Sequence, residues 1–144
     1  MDLSFERLHP DAALPSAHHP GDAGLDLRSV IEVTVAPGER SMVPTGVAVA
    51  IPEGHAGLVL PRSGLATKQG LTLANAPGLI DAGYRGEVIC AVVNLDPSTP
   101  VAIAKGDRIA QLVIVEVPDV VPAWAESLPE TVRGDGGFGS TGTS

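Results

Sequence analysis

Apolar residues along the chain fall in short runs separated by turn clusters. Val30 to Val35, Val43 to Ile51, Gly57 to Leu60, Leu71 to Leu73, Glu87 to Leu95, Val101 to Ala104 and Arg108 to Val117 read as strands. Between them stand Ala36-Pro37-Gly38, Pro52-Glu53-Gly54, Asp96-Pro97-Ser98 and Lys105-Gly106-Asp107, all good turn chemistry. Alternation predicts that Val43, Val47, Val49 and Ile51 share one face. A single short helix is predicted over Ser63 to Gln69, with Ser63 as its N-cap and Gly70 as its stop.

Two runs break the alternation. Val88 to Val93 is apolar on both faces, and so is Ile109 to Val115 apart from Gln111. A chain with almost no helix has little of its own to cover a second apolar face, so a second copy of the chain is the expected cover. Composition agrees with a sheet protein. The 17 Val and 7 Ile favour pleated backbone, while 17 Gly and 13 Pro would break helix interiors. The fold class expected is an all-β domain over residues 1–117. Residues 118–130 then read as a Pro-rich linker, and residues 131–144 as a mobile Gly-rich tail that can order on a ligand. Extended, that tail reaches ~45 Å, enough to cross onto a neighbouring subunit.

Charge and cysteine usage narrow the classes. A net charge of −8 argues against a nucleic-acid duplex as partner, because duplex binding neutralises phosphates with Lys and Arg. One Cys excludes a disulfide framework and a multi-Cys zinc site. No apolar run is long enough to span a bilayer, and Met1 to Glu6 lacks a basic segment followed by an apolar one. A soluble, cytoplasmic protein is expected.

Four places carry candidate chemistry. At Pro61 to Ala66 a strand ends where a helix begins, so unpaired N–H groups meet the Arg62 guanidinium and the Ser63 hydroxyl. That is an anion site, unless Ser63 only caps the helix and Arg62 only pairs with a surface acid. Gly78 to Gly86 places Asp81 and Tyr84 in a turn between apolar strands. There Asp81 is either a general base toward water at a dry cleft edge or a carboxylate that stabilises its own turn. Tyr84 and Phe138, two of only four aromatics, lie in Gly-rich segments, a placement that suits stacking on a flat ligand. Gln111 stands in an apolar strand and needs a partner, either backbone or a bound ligand, while Arg108 either snorkels or meets an acid at the strand entrance. His9, His18, His19 and His55 are scattered without metal or triad spacing, and Cys90 reads as an inert core thiol.

In order, Asp22 to Leu27 (DAGLDL), Pro61 to Ala66 (PRSGLA), Gly78 to Gly86 (GLIDAGYRG), Gly106 to Gln111 (GDRIAQ) and Arg133 to Ser140 (RGDGGFGS) resemble the five motifs of the trimeric dUTPase family. The resemblance implies a β-clip or distorted jelly-roll subunit, a homotrimer with sites at subunit boundaries, and hydrolysis of dUTP to dUMP and pyrophosphate. By matching positions, Asp81 would activate the water that attacks the α-phosphorus. Arg62, Ser63, Gly64, Gln111 and Arg133 would hold the phosphates. Asn75 would read uracil, Tyr84 would pack on the deoxyribose, and Phe138 would stack over the base. Asp26 would support the site and contact metal-bound water, with Mg²⁺ carried on the triphosphate.

Two rivals stand beside this reading. One is the deoxycytidine triphosphate deaminase branch, whose catalytic Glu would fall at about Ala91, where this chain has no carboxylate. The other is a non-catalytic deoxynucleotide-binding regulator, against which the presence of Asp81, Ser63, Gln111 and the full tail argues.

Overall fold

A computed structural model describes residues 1–137 of the chain. In chain order it holds β1 (Ser4–Arg7), β2 (Leu25–Arg28), β3 (Val33–Val35), β4 (Arg40–Ala50), β5 (His55–Leu60), α1 (Ser63–Gln69), β6 (Leu71–Leu73), β7 (Gly78–Asp81), β8 (Glu87–Asn94), β9 (Val101–Ile103) and β10 (Arg108–Glu116). The strands form one sheet in the order β1-β4-β8-β6, a second in the order β2-β10-β5-β7, and a β3-β9 ribbon. Every pairing within them is antiparallel. This is the expected all-β architecture, a distorted jelly roll. No helix among the described residues is long and apolar enough to cross a membrane.

The core lies between the two large sheets. Leu27, Val43, Val49, Val59, Val88, Cys90, Val92, Ala110 and Leu112 all sit in it, essentially without solvent contact. Two buried polar groups are satisfied by distant backbone. Asn94 Nδ2 donates to Val35 O and Thr99 O, at 3.0 and 2.8 Å, and Thr45 Oγ1 donates to Val88 O at 2.6 Å. Gly70 ends α1 in the left-handed region at φ 70°, where its N–H closes on Ala66 O.

Several expectations change. Strands β1 and β2 were not predicted, and Gly78–Asp81 is a strand hydrogen-bonded to β5 rather than part of a turn, so Asp81 sits at a strand end. The stretch from Val30 is strand only over Val33–Val35, because the Ser29 hydroxyl ties the backbone of Ile31 into a local turn. The row of valines in β4 is split. A register shift between Pro44 and Ala48, with Gly46 at φ 70°, puts Val47 in a separate small cluster with Ala12 and Val30. A side chain at Gly46 would meet His9, Ala12 and Val30 within 3.0 Å. Ser63 is not the N-cap. Arg62 occupies that position with extended backbone, and no side chain caps the helix.

Of the second faces predicted to be apolar, that of β8 is open at Ile89 in a single copy and that of β10 is half-buried at Val113 and Val115. Met42 and Leu79 are about two-thirds exposed, and Ile89 on β8 is nearly half exposed. Residues 118–130 carry no regular structure and are exposed, Val120, Val121, Trp124 and Leu128 among them.

Burial of Cys90 pushes its thiol up to about 12, from an ordinary value of 9.0. The folded thiol keeps its proton where the unfolded one loses it, so native stability declines as pH rises above that ordinary value. Native protein at about pH 8 is expected to resist alkylation at Cys90, with labelling complete only in denaturant; rapid labelling of the native state would contradict this burial.

Candidate active site

Eight of the ten predicted site residues gather in two pockets that share no lining residue. The first, of about 290 Å³, is lined by Asn75, Gly78, Leu79, Asp81 and Tyr84 together with the β8 residues Ile89, Cys90 and Ala91. The second, of about 550 Å³, is lined by Asp26, Arg62, Ser63, Gly64 and Gln111, joined by His18, Asp22 and Arg108.

Pairing register builds the second pocket. Gln111 of β10 stands opposite Asp26 of β2 on one side and Leu60 of β5 on the other. Three sequence motifs far apart in the chain therefore meet in one row. The Asp26 carboxylate forms an ion pair with Arg62, Oδ1 to Nε at 3.3 Å, and accepts from Arg108 Nη1 at 3.1 Å through Oδ2. Arg62 Nη1 also donates to the Arg108 carbonyl at 3.1 Å. Gln111 Nε2 donates to Pro61 O at 3.1 Å, so its partner is backbone. Around Asp26 two guanidiniums face one carboxylate, and the exposed Asp22, which also lines the pocket, brings the formal charge of the lining to zero. The two readings of Ser63 and Arg62 are thereby separated. Ser63 does not cap, and Arg62 pairs with a mostly buried acid of the pocket rather than a surface one.

The first pocket is local in sequence. After β7 ends at Asp81, the Tyr84 N–H returns to Asp81 O at 3.0 Å, forming a tight turn. Tyr84 Oη donates to Glu87 O at 3.0 Å, which fixes the ring, and a side chain at Gly86 would overlap it. Asp81 is exposed in the single copy, so one chain does not supply the dry cleft edge expected around it. Ala91, where a deaminase would carry its Glu, presents a methyl group to this pocket.

Strand β5 separates the two pockets. Asp81 pairs with Ala56 near one end of β5, and Leu60 leads into the phosphate-type pocket at the other. Four residues of strand are ~13 Å. Within one copy, Asp81 and Arg62 therefore stand toward opposite ends of β5.

Arg133 is not brought to either pocket; its Nε donates to Gly136 O at 2.9 Å within an exposed turn. Phe138 lies outside the described residues. Arg108 and His18 are pocket residues that the sequence did not mark as site residues. Arg108 meets the acid foreseen for it, in Asp26, while His18 was set aside for lack of metal spacing although the turn just before the first motif begins beside it.

The sequence profile of the dUTPase family matches residues 11–142. The deoxyuridine 5'-triphosphate nucleotidohydrolase of Mycolicibacterium gilvum is 55% identical, across 97% of this chain and 94% of its own. That of Rhodococcus erythropolis is 53% identical, across 99% of this chain and 87% of its own. Among solved structures, a variant dUTPase of Staphylococcus bacteriophage 80alpha with dUpNHpp superposes with a TM-score of 0.90 at 32% identity, covering 99% of each chain. A dUTPase of phage phi11, solved to describe coordination of a structural Mg(II) ion, superposes at 0.81 with 30% identity, covering 88% of this chain and 98% of that one.

Gly24 makes room for the second pocket, because a Cβ there would overlap the Gln111 amide oxygen. Gly24→Ala is expected to displace that amide, lowering stability in denaturant unfolding by about 1–3 kcal/mol and weakening tripolyphosphate binding. Wild-type values for both would contradict the packing described.

Proposed function

The chain belongs to the dUTPase family, and on that footing we infer that it hydrolyses dUTP to dUMP and pyrophosphate, limiting uracil in DNA and supplying dUMP for thymidylate synthesis. The observation that carries the reading is the division of the site into a pocket that holds Asn75, Asp81 and Tyr84 and no cation, and a pocket that holds both Arg62 and Arg108. A nucleotide has the same division, a flat base and sugar at one end and an anionic chain at the other.

Asp81 takes a proton from water, whose oxygen bonds to the α-phosphorus as the bond from that phosphorus to the bridging oxygen breaks, and pyrophosphate leaves. Arg62, Ser63, Gly64 and Gln111 bind and orient the phosphates. Ser63 supports this role because its hydroxyl is not consumed by capping. Asn75 and its strand read the uracil edge, and Tyr84, held by Glu87 O, packs against deoxyribose and leaves no room for a 2'-hydroxyl. The terminal motif completes the clamp, Arg133 reaching phosphate and Phe138 covering the base.

The donor set fits a Mg²⁺ that arrives on the triphosphate. Among the described residues no three His, Cys, Asp or Glu side chains are placed to hold a metal ion, and both Asp26 oxygens are already paired with arginines. Asp26 therefore meets the ion through water. When bound, the ion offsets charge on a chain that carries roughly four negatives, more than two arginines neutralise.

The active assembly is a homotrimer acting in the cytoplasm. Its support is the ~13 Å of β5 between Asp81 and the phosphate pocket, together with the uncovered Met42, Leu79, Ile89 and Trp124. A site must then combine pockets from two copies.

Asp81→Ala is expected to cut pyrophosphate release from dUTP by several orders of magnitude while dUpNHpp still binds; persistent turnover would remove Asp81 from the chemistry. Deleting residues 132–144 should leave the oligomer folded but collapse turnover, and unchanged kinetics would exclude the tail from the site. Sedimentation should give a species of three times 14.6 kDa, and a 14.6 kDa species alone would end the shared-site reading.

A further inference from the structure

His18 lines the phosphate pocket beside groups already assigned to it, and its Nδ1 lies 3.1 Å from Arg108 Nη1. Arginine has no acceptor, so in this contact Nδ1 must be the acceptor and the ring must carry its proton on Nε2. The same Arg108 nitrogen donates to Asp26 Oδ2, so the ring is tied to the central ion pair. The segment around it is pinned on both sides. Before it, the Asp26 N–H donates to Ser16 O at 2.9 Å. After it, His19 N–H donates to Asp22 Oδ2 at 2.9 Å and Asp22 N–H returns to His19 O at 3.1 Å, around Gly21 at φ 92°. The His19 ring stands edge-on to that of His18, with centroids 4.4 Å apart. An exposed histidine held by this many contacts has given up rotamer freedom in advance of any ligand.

We propose that His18 is an additional binding group for the phosphate chain, its Nε2–H donating to a phosphate oxygen while Nδ1 holds Arg108. The proposal rests on the dUTP reading above. It adds a neutral donor to a pocket otherwise built from guanidiniums, backbone N–H groups and an amide. A neutral donor to a charged acceptor strengthens binding without adding a charge that Asp26 would have to balance.

Calorimetric titration with dUpNHpp and inhibition by deoxyuridine, which has no phosphate, separate the possibilities. His18→Ala should weaken dUpNHpp binding about five- to tenfold and raise KM for dUTP in proportion, with deoxyuridine inhibition unchanged. His18→Asn keeps an acceptor for Arg108 but lacks the distal donor, and should be as weak as the alanine variant. His18→Gln, whose amide NH₂ extends to the distal position, should recover part of the loss. Wild-type affinity in His18→Ala, or full recovery in His18→Asn, would overturn the proposal, the second leaving His18 as a support for Arg108 alone. Equal losses for dUpNHpp and deoxyuridine would overturn it too. Failure of the wild-type protein to bind dUpNHpp would instead overturn the dUTP reading, and this inference with it.

Discussion

One carboxylate organises the phosphate pocket. Asp26 joins β2 to the Arg62 turn after β5 and to Arg108 at the start of β10, and it is only 13% exposed. Without it two guanidiniums would face each other in a partly dry site, a loss on the order of a few kcal/mol and less than for a fully buried pair. With it, the arginines are fixed side by side at the centre of the pocket.

The second constraint is the length of β5. Backbone pairing sets both ends, with Ala56 opposite Asp81 and Leu60 opposite Gln111, so the spacing of Asp81 from Gln111 along the strand is fixed by the register. Exposed apolar side chains on β7 and β8 and along residues 118–130 are left uncovered in a single copy. In the proposed trimer, assembly and chemistry have one cause: the face that needs burial carries half of the site.

Much of this was legible in the sequence, and the failures have physical reasons. The central strands announced themselves by β-branched runs and Gly-Pro turns. Strands β1 and β2, SFER and LDLR, are short and polar, and become strands only by pairing with β4 and β10. β7 hid in a glycine-rich run that reads as a turn until β5 lies beside it. Val47 left its row because Gly46 admits a bulge that no alternation rule foresees. The first pocket was readable because Asn75, Asp81 and Tyr84 are close in the chain. Asp26, Arg62 and Gln111 were each marked by motif, but their convergence depends on a register of three strands. His18 was missed because its significance lies in a contact with Arg108 across 90 positions.

Mixing two defective variants tests the shared site most directly. Asp81→Ala and Arg62→Ala should each be nearly inactive as pure proteins. After co-refolding in equal amounts, random three-fold assemblies should regain about a quarter of wild-type turnover, because one site in four pairs an intact Asp81 from one copy with an intact Arg62 from another. A mixture as inactive as its parents, with mixed oligomers verified by mass, would mean that a single chain supplies both residues and would contradict the account.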